Sequence, residues 1–292
     1  MAITAANISK AQLKHCLLLY PDVIDEVYDS RIKNSKKLFE AKVRDKWRYE
    51  ELPNALKVAR GMSLAELERL VQWKITHGQN RPFLPSMVRK NDAGTVTKAT
   101  EKAAKLLSSL NATTTSQKAL ELTLSALDAA CILTGVGPAT GALVLSVYDP
   151  NNAVFFQDEL FAWCVPEKKD TKLKYDKKEY SELFKRAYDL RERLGDGTQM
   201  VELEKASFVL QHLDVVDEAS REALEAGPVD SVIQLANEQA SSKATDSKGT
   251  SDAETSPPPA VQKAASRNTT KTKRKKADET ATPAAKRKRA KK

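Results

Sequence analysis

The part of this sequence with the clearest capacity for chemistry is LTGVGPATGALVL, residues 133–145. Gly135 and Gly137 permit backbone angles that are closed to other residues, and they let another molecule approach the main chain closely. Val136 can fill the gap between two helices, and Pro138 suits the first position of a helix because its missing N–H is not needed there. A glycine turn that leads directly into a helix points unpaired backbone N–H groups toward one place, which favours phosphate binding.

A second interpretation of this turn requires no ligand. In that interpretation the glycines only allow two helices to pack closely, and the turn binds nothing.

The turn resembles the hairpin of the helix-hairpin-helix DNA glycosylase superfamily, whose typical pattern is Leu-Pro-Gly-Val-Gly-x-x-Thr-Ala. Thr134 and Gly141 depart from it at the proline and alanine positions. The matching residues are Leu133, Gly135, Val136, Gly137 and Thr140. The resemblance implies an all-helical fold in which the hairpin backbone holds a DNA phosphate. The phosphate-binding positions it implies are Gly135, Val136, Gly137, Ala139 and Thr140. It also implies that a monovalent cation can sit on the hairpin carbonyls.

The resemblance further implies a candidate catalytic carboxylate. In the family an aspartate follows the first hairpin glycine by some twenty residues, and Asp158 lies 23 residues after Gly135, within VFFQDELF. Such a carboxylate stabilises the positive charge that develops on the sugar when a base is cleaved from DNA, after the base has been flipped out of the duplex. Glu159 is the second choice, since a one-residue slip exchanges the two. Alternatively, Asp158 is only the N-cap of a helix.

Two departures from the family limit the chemistry. Bifunctional members carry a lysine one residue before the hairpin threonine, where this chain has Ala139, so Schiff-base chemistry at that position is excluded. The four-cysteine loop of some members is also missing, and the spacing of the histidines predicts no metal site. A monofunctional glycosylase remains open, as does a protein that kept the hairpin without the reaction.

Six basic residues form a candidate DNA-contacting face. Three lie in the loop RPFLPSMVRKND and three follow along a predicted helix at spacing i, i+4, i+7: Arg81, Arg89, Lys90, Lys98, Lys102 and Lys105. They either follow a phosphate backbone or simply form a solvated helix face.

The positive charge of the chain is concentrated at its C-terminal end. The chain has 48 basic and 39 acidic residues, a net charge of +9. Residues 240–292 contain 15 of the basic and 5 of the acidic residues, so residues 1–239 are nearly neutral. Any nucleic-acid surface on the folded part must therefore be a local patch.

The same C-terminal segment is predicted to be disordered, since its only large aliphatic residue is Val261. Its clusters KTKRKK and KRKRAKK resemble a bipartite nuclear localisation signal, which predicts a nuclear protein that binds the import machinery. Alternatively, they bind polyanions non-specifically. The cluster residues are Lys273, Arg274, Lys275, Lys276, Lys286, Arg287, Lys288 and Arg289.

The elements that must position these residues are helices. Apolar residues recur at helical spacing in five long runs, and Ser63 with Glu66 forms a capping-box pattern at the start of the first. The runs are residues 63–75, 96–110, 116–133, 176–195 and 198–213. No apolar run approaches the ~20 residues that a membrane span needs, so no membrane partner is expected.

The fold class predicted is an all-α, helix-hairpin-helix DNA-glycosylase-like domain over residues 1–215, with a short helical extension over 216–239 and a disordered tail over 240–292. The predicted function is nuclear binding of duplex DNA, in repair or chromatin, without a cofactor other than the hairpin cation. The alternative is a monofunctional DNA glycosylase that uses Asp158, and a protein–protein scaffold on the same fold is the third possibility.

Overall fold

The computed structural model describes residues 3–110, 114–195 and 197–227. In these ranges the chain is helical and contains no strand, which confirms the all-α prediction. The α-helices are α1 (Lys10–Arg31), α2 (Ser35–Lys46), α3 (Leu52–Ala59), α4 (Leu64–His77), α5 (Leu84–Val88), α6 (Ala93–Leu107), α7 (Ser116–Ala130), α8 (Pro138–Tyr148), α9 (Asp158–Cys164), α10 (Lys177–Leu194), α11 (Met200–Gln211) and α12 (Glu218–Ala226).

Local signals set the helix ends. Ser63 caps α4 and accepts a hydrogen bond from the amide of Glu66, whose side chain returns one to the amide of Ser63, so the predicted capping box is confirmed. Asp176 caps α10 through the amide of Glu179, and Gly195, with φ of +87°, ends it. The helix predicted over 116–133 ends three residues earlier, at Ala130.

Helix α8 contributes residues to both apolar cores of the described part of the chain. Each of its residues from Ala139 to Val147 is buried, so its sequence is apolar all round rather than on one face. One side packs into a core formed mainly by α1, α7, α9, α10 and α11. The other side packs into a second core formed mainly by α3, α4 and α6. The start of α8 therefore lies where the two cores meet.

A buried ion pair joins these layers. The guanidinium of Arg48, in a π-helical turn (Trp47–Glu51), lies 2.9 Å from the Glu204 carboxylate of α11, and both side chains are about 1% exposed. Arg48 also donates to the Ser146 hydroxyl of α8 at 2.9 Å, and the Tyr49 hydroxyl donates to Glu204 at 2.7 Å. These bonds link the second core to α8 and α11.

Helix α12 packs on α1, where Leu224 is fully buried and its carbonyl accepts a hydrogen bond from Gln12. The predicted domain boundary at residue 215 stays a prediction. None of the helices in the described ranges combines the length and the apolar character that crossing a bilayer requires. The tail predicted over 240–292, with both basic clusters, lies outside the described residues.

Candidate functional site

The hairpin, residues 131–137 between α7 and α8, requires glycine at position 135. Gly135 has φ of +80°, in the region that favours glycine. A Cβ atom there would lie 3.0 Å from the Cβ of Met87 and 3.1 Å from the amide nitrogen of Val88, because α5 packs directly against the turn. A side chain at this position would therefore separate α5 from the hairpin.

Asn91, which no sequence pattern indicated, holds the hairpin from outside. Its Oδ1 accepts a hydrogen bond from the amide of Thr134 at 2.8 Å, and its Nδ2 donates to the carbonyl of the same residue at 2.9 Å. A proline, as in the family pattern, would lack the N–H that Asn91 binds. The clamp is thus a local reason for a residue other than proline at this position.

The other departure from the pattern also has a packing reason. A Cβ at Gly141 would lie 2.7 Å from Cδ1 of Leu127 and 3.0 Å from Sγ of Cys131, so an alanine would require both α7 side chains to move. Glycine here lets α8 pack closely on α7.

Gly137 differs from both of these glycines. Its φ of −88° suits any residue, and an added Cβ would meet no atom within 4 Å. In the described part of the chain, the backbone N–H groups of Gly137, Ala139 and Thr140 donate no hydrogen bond. The amide of Val136, in contrast, donates to the carbonyl of Leu133 at 3.1 Å. Three of the predicted phosphate-binding amides are therefore unpaired, and one of them, that of Gly137, belongs to a residue next to open space.

These amides lie beside a cavity of about 300 Å³. The hairpin and the first turn of α8 form one wall through Gly135, Gly137, Pro138, Ala139 and Thr140. The end of α4, the start of α9 and the segments 155–157 and 174–175 form the other walls. Charged and polar side chains in those walls include Lys74, Arg81, Asp158, Glu159 and Tyr175. The structure thus brings the hairpin and both candidate carboxylates together.

Asp158 is the first residue of α9 and does not cap it. The N-cap is Gln157, whose side chain makes no capping bond. Instead, Oδ1 of Asp158 accepts a hydrogen bond from the Tyr175 hydroxyl at 2.9 Å. Tyr175 has φ of +56°, a strained value for a residue other than glycine, and its ring centroid lies 5.1 Å from the guanidinium carbon of Arg81. A strained tyrosine therefore orients the Asp158 carboxylate at the cavity.

Two further ionisable groups in the cavity have shifted pKa values. Burial raises the pKa of the Glu159 carboxyl to about 7, and the neighbouring charge of Asp158 acts in the same direction. Burial also lowers the pKa of Lys74, against the attraction of Asp158. Glu159 therefore holds its proton up to near-neutral pH and can donate it, beside a carboxylate that accepts.

The six predicted basic residues differ in whether they line the cavity. Arg81 lines the cavity. Arg89 is exposed and paired with Glu68 at 3.0 Å. The other four are exposed at the end of α5 or along α6: Lys90, Lys98, Lys102 and Lys105. Only one residue of the predicted face thus belongs to the candidate site.

A lysine-rich loop, residues 166–176, supplies cations that the sequence patterns did not indicate. Lys168, Lys169 and Lys172 line a second cavity of about 640 Å³, which shares Arg81 and Asp158 with the first. Lys168 is paired with Glu182, whereas Lys169 and Lys172 are exposed. The run KKDTKLKYDKK was the available signal, but a run of lysines is typical of any solvated loop.

Backbone carbonyls of the hairpin remain the candidate ligands for a monovalent cation. The carbonyls of Leu133 and Thr134 already accept hydrogen bonds from Val136 and Asn91. In the described ranges, no three His, Cys, Asp or Glu side chains are placed to hold a metal ion. The cation stays a prediction, and no step proposed below depends on it.

The perturbed Glu159 predicts how stability depends on pH. Its pKa is about 7 in the folded protein and 4.5 as the ordinary value, so its contribution is complete below pH 4.5 and is lost as the pH rises toward 7. As the pH rises from 4.5 to 7, the free energy of unfolding should fall in both proteins. We expect the fall to be larger in the wild type than in Glu159→Gln, by on the order of 2 kcal/mol. Urea unfolding at several pH values measures this difference. Asp45, whose pKa burial raises to about 6, is common to both proteins. Parallel profiles would contradict the prediction.

Comparison of the chain with protein-family models, with curated proteins and with solved structures returned no match.

Proposed function

We propose that this protein binds duplex DNA, with the hairpin holding a backbone phosphate as it does in helix-hairpin-helix DNA glycosylases. The observation that carries this proposal is Gly137, which neither backbone strain nor packing requires. A glycine in such a place is useful when another molecule must come within contact of the main chain. The unpaired amides of Gly137, Ala139 and Thr140 at the start of α8 are suited to hold an anion.

The charges around the cavity support a polyanionic partner. Lys74 and Arg81 line the cavity beside the hairpin, and Lys169 and Lys172 line the second cavity, although residues 1–239 are nearly neutral as a whole. Phe83, whose side chain is 56% exposed at the cavity, offers a flat apolar surface on which a base can stack. A local basic patch with an exposed aromatic residue is the combination that nucleic acids favour.

A second candidate function is excision of a damaged or mismatched base. The specific observation in its favour is that Asp158 faces the cavity beside the hairpin and is held there by Tyr175 rather than capping α9. With a flipped nucleotide in the cavity, the carboxylate would stabilise positive charge at C1′ and orient a water molecule toward it. Glu159, protonated near neutral pH, would donate a hydrogen bond to the departing base.

The hairpin glycines provide the test of DNA binding. We expect Gly137→Ala to lower the unfolding temperature only slightly, since alanine is a poorer N-cap of α8 than glycine, but to bind a duplex about tenfold less tightly, because its methyl group occupies the space that the phosphate needs. Gly135→Ala should lower the unfolding temperature much further, since φ of +80° and contacts to α5 exclude a side chain. Fluorescence anisotropy on the full chain and thermal unfolding measure both effects. The basic tail is common to all three proteins, and unchanged affinity in Gly137→Ala would overturn the proposal.

Charge reversal identifies the face that contacts DNA. We expect Lys169→Glu with Lys172→Glu to weaken duplex binding and to reduce the slope of log affinity against log salt by about 2, one for each lost phosphate contact. The matched control is Lys98→Glu with Lys102→Glu on α6, which changes the net charge equally. An equal loss in both variants would indicate binding to net charge alone rather than to the cavity face.

Nuclear localisation is a part of the proposal that depends on the tail. In this proposal the clusters at 271–276 and 286–292 recruit import machinery, and imaging of the chain with these lysines and arginines replaced would test that role.

A further inference from the structure

A buried histidine forms the back of the cavity. The ring of His77 is 2% exposed and lies between Trp73 and Phe208, with ring centroids 4.4 Å and 4.5 Å away. Burial, together with the positive charge of Arg48, lowers its pKa well below the ordinary value, so the ring is neutral. One ring nitrogen therefore carries a proton and the other accepts.

The surroundings of the ring decide which nitrogen carries the proton. Nδ1 lies 3.9 Å from the Asp45 carboxylate and 3.5 Å from the Tyr28 hydroxyl. Asp45 itself accepts hydrogen bonds from the Trp73 indole at 2.8 Å and from the Tyr20 hydroxyl at 3.3 Å. A carboxylate near Nδ1 favours the proton at that nitrogen. Nε2 of His77 is consequently the acceptor.

Gln157 is oriented by this acceptor. Its Nε2 lies 3.3 Å from Nε2 of His77, and only an amide N–H can donate to an unprotonated ring nitrogen. The carbonyl oxygen of the same amide, Oε1, is buried and has no hydrogen-bond partner in the described part of the chain. Gln157 is 4% exposed and lines the cavity. The cavity wall thus contains a buried amide oxygen that accepts no hydrogen bond from the described residues, next to a Glu159 carboxyl that also interacts with the Gln157 side chain.

An unpaired buried acceptor of this kind costs folding free energy, so a ligand that supplies the missing donor recovers that free energy. A ligand that lacks the donor leaves the acceptor unpaired and is rejected. The volume of the cavity, about 300 Å³, is that of a small-ligand pocket and accommodates a single planar base.

We propose that Gln157 selects the occupant of the cavity, a nucleobase that presents an N–H donor to Oε1. This inference rests on the proposed binding of DNA and adds to it the chemical class of base that is accepted. His77 is a positioning residue in this arrangement, because it fixes the orientation of the amide without contacting the base.

The experiment compares two duplexes that differ in one donor. One contains a single 2-aminopurine, which has an exocyclic amine, and the other contains an unsubstituted purine at the same position. Fluorescence anisotropy gives the dissociation constants of the two duplexes, and their ratio is compared between the full-length wild type and Gln157→Met. The two bases differ in the free energy needed to extrude them from the duplex, and this difference cancels when the two ratios are compared. The fluorescence of 2-aminopurine reports directly whether the base has left the stack.

We expect the preference for the 2-aminopurine duplex over the purine duplex to be about tenfold larger in the wild type than in Gln157→Met. The matched control is Gln117→Met, which makes the same change at an exposed glutamine of α7 that lines neither cavity, and it should leave the ratio at the wild-type value. Gln157→Asn, which keeps the amide but withdraws it by one methylene group, should lose the ratio as Gln157→Met does. If circular dichroism shows that Gln157→Met is unfolded, Gln157→Asn replaces it in the comparison.

Three results would overturn the inference. Equal ratios in the wild type and in both Gln157 variants would show that Oε1 contacts no base. A ratio that favours unsubstituted purine in the wild type would mean that the amide presents its N–H to the cavity. Either result leaves DNA binding itself intact. If neither duplex is bound, the proposed function fails, and the inference fails with it.

Discussion

In the Asp158→Asn variant, release of a damaged base from duplex DNA is expected to fall by a factor of about 100 to 1,000, while affinity for the same duplex stays within about twofold of the wild type. An asparagine keeps the size of the side chain and can still accept the Tyr175 hydrogen bond, so the cavity retains its shape. Only the negative charge that would stabilise the transition state is lost. Single-turnover excision from a panel of duplexes, each with one damaged base, measures the rate.

The neighbouring residues supply the controls for this prediction. Glu159→Gln should reduce the rate less at neutral pH, since Glu159 is already about half protonated there and the amide can still donate a hydrogen bond. Asp170→Asn, in the lysine-rich loop and lining only the second cavity, makes the same change in charge and should leave the rate unchanged. Excision that survives both Asp158→Asn and Glu159→Gln would remove these residues from the reaction. If the wild type excises no base in the panel, the glycosylase candidate fails and DNA binding is tested separately.

Replacing Glu204 by leucine is expected to lower the free energy of unfolding by about 3–5 kcal/mol, the largest stability effect of any change considered. The variant leaves the Arg48 guanidinium buried at 1% exposure without its carboxylate partner, and it removes the acceptor of the Tyr49 hydroxyl. Arg48 also stacks 4.9 Å from the Trp73 ring, which in turn supports His77. Loss of this pair should therefore loosen the back of the cavity. Urea unfolding monitored by circular dichroism gives the value.

Two comparisons separate a buried unpaired charge from a simple loss of contacts. The double variant Arg48→Met with Glu204→Leu should be more stable than Glu204→Leu alone, because no buried charge is left without a partner. Glu68→Leu, which breaks the surface pair with the exposed Arg89, should cost less than about 1 kcal/mol. A loss below about 1 kcal/mol in Glu204→Leu would show that water reaches Arg48 and that the pair is not a structural link.

Much of the fold could be predicted because its signals are local. A helix repeats its apolar face every three or four residues, and its ends depend on one or two capping side chains, so α4 and α10 could be predicted with their caps at Ser63 and Asp176. The turn between α7 and α8 could be predicted for the same reason, since glycine and proline act on their own backbone angles. The end of α7 at Ala130 was missed by three residues, because the apolar residues of the sequence continue through Leu133 beyond the last helical residue.

Some residues of the candidate site could likewise be predicted from the sequence, and others could not. The hairpin and Asp158 were found from a pattern within one stretch of chain, and both line the cavity. Lys74, Gln157 and Tyr175 were missed, since each is ordinary in its own sequence and acquires a role only from neighbours that lie far along the chain. Asn91 was missed for the same reason, because its partner Thr134 is 43 residues away.

The sequence by itself thus determined the helices, the glycine turn and the distribution of charge, all of which follow from the composition and spacing of adjacent residues. Only the tertiary structure decided that Gly137 faces open space while Gly135 and Gly141 are packed, and that Asp158 meets Tyr175 at a cavity instead of capping a helix. The physical reason is that burial, an unpaired hydrogen-bond acceptor and a shifted pKa are properties of what surrounds a group. Those surroundings come from helices that the chain brings together only when it folds.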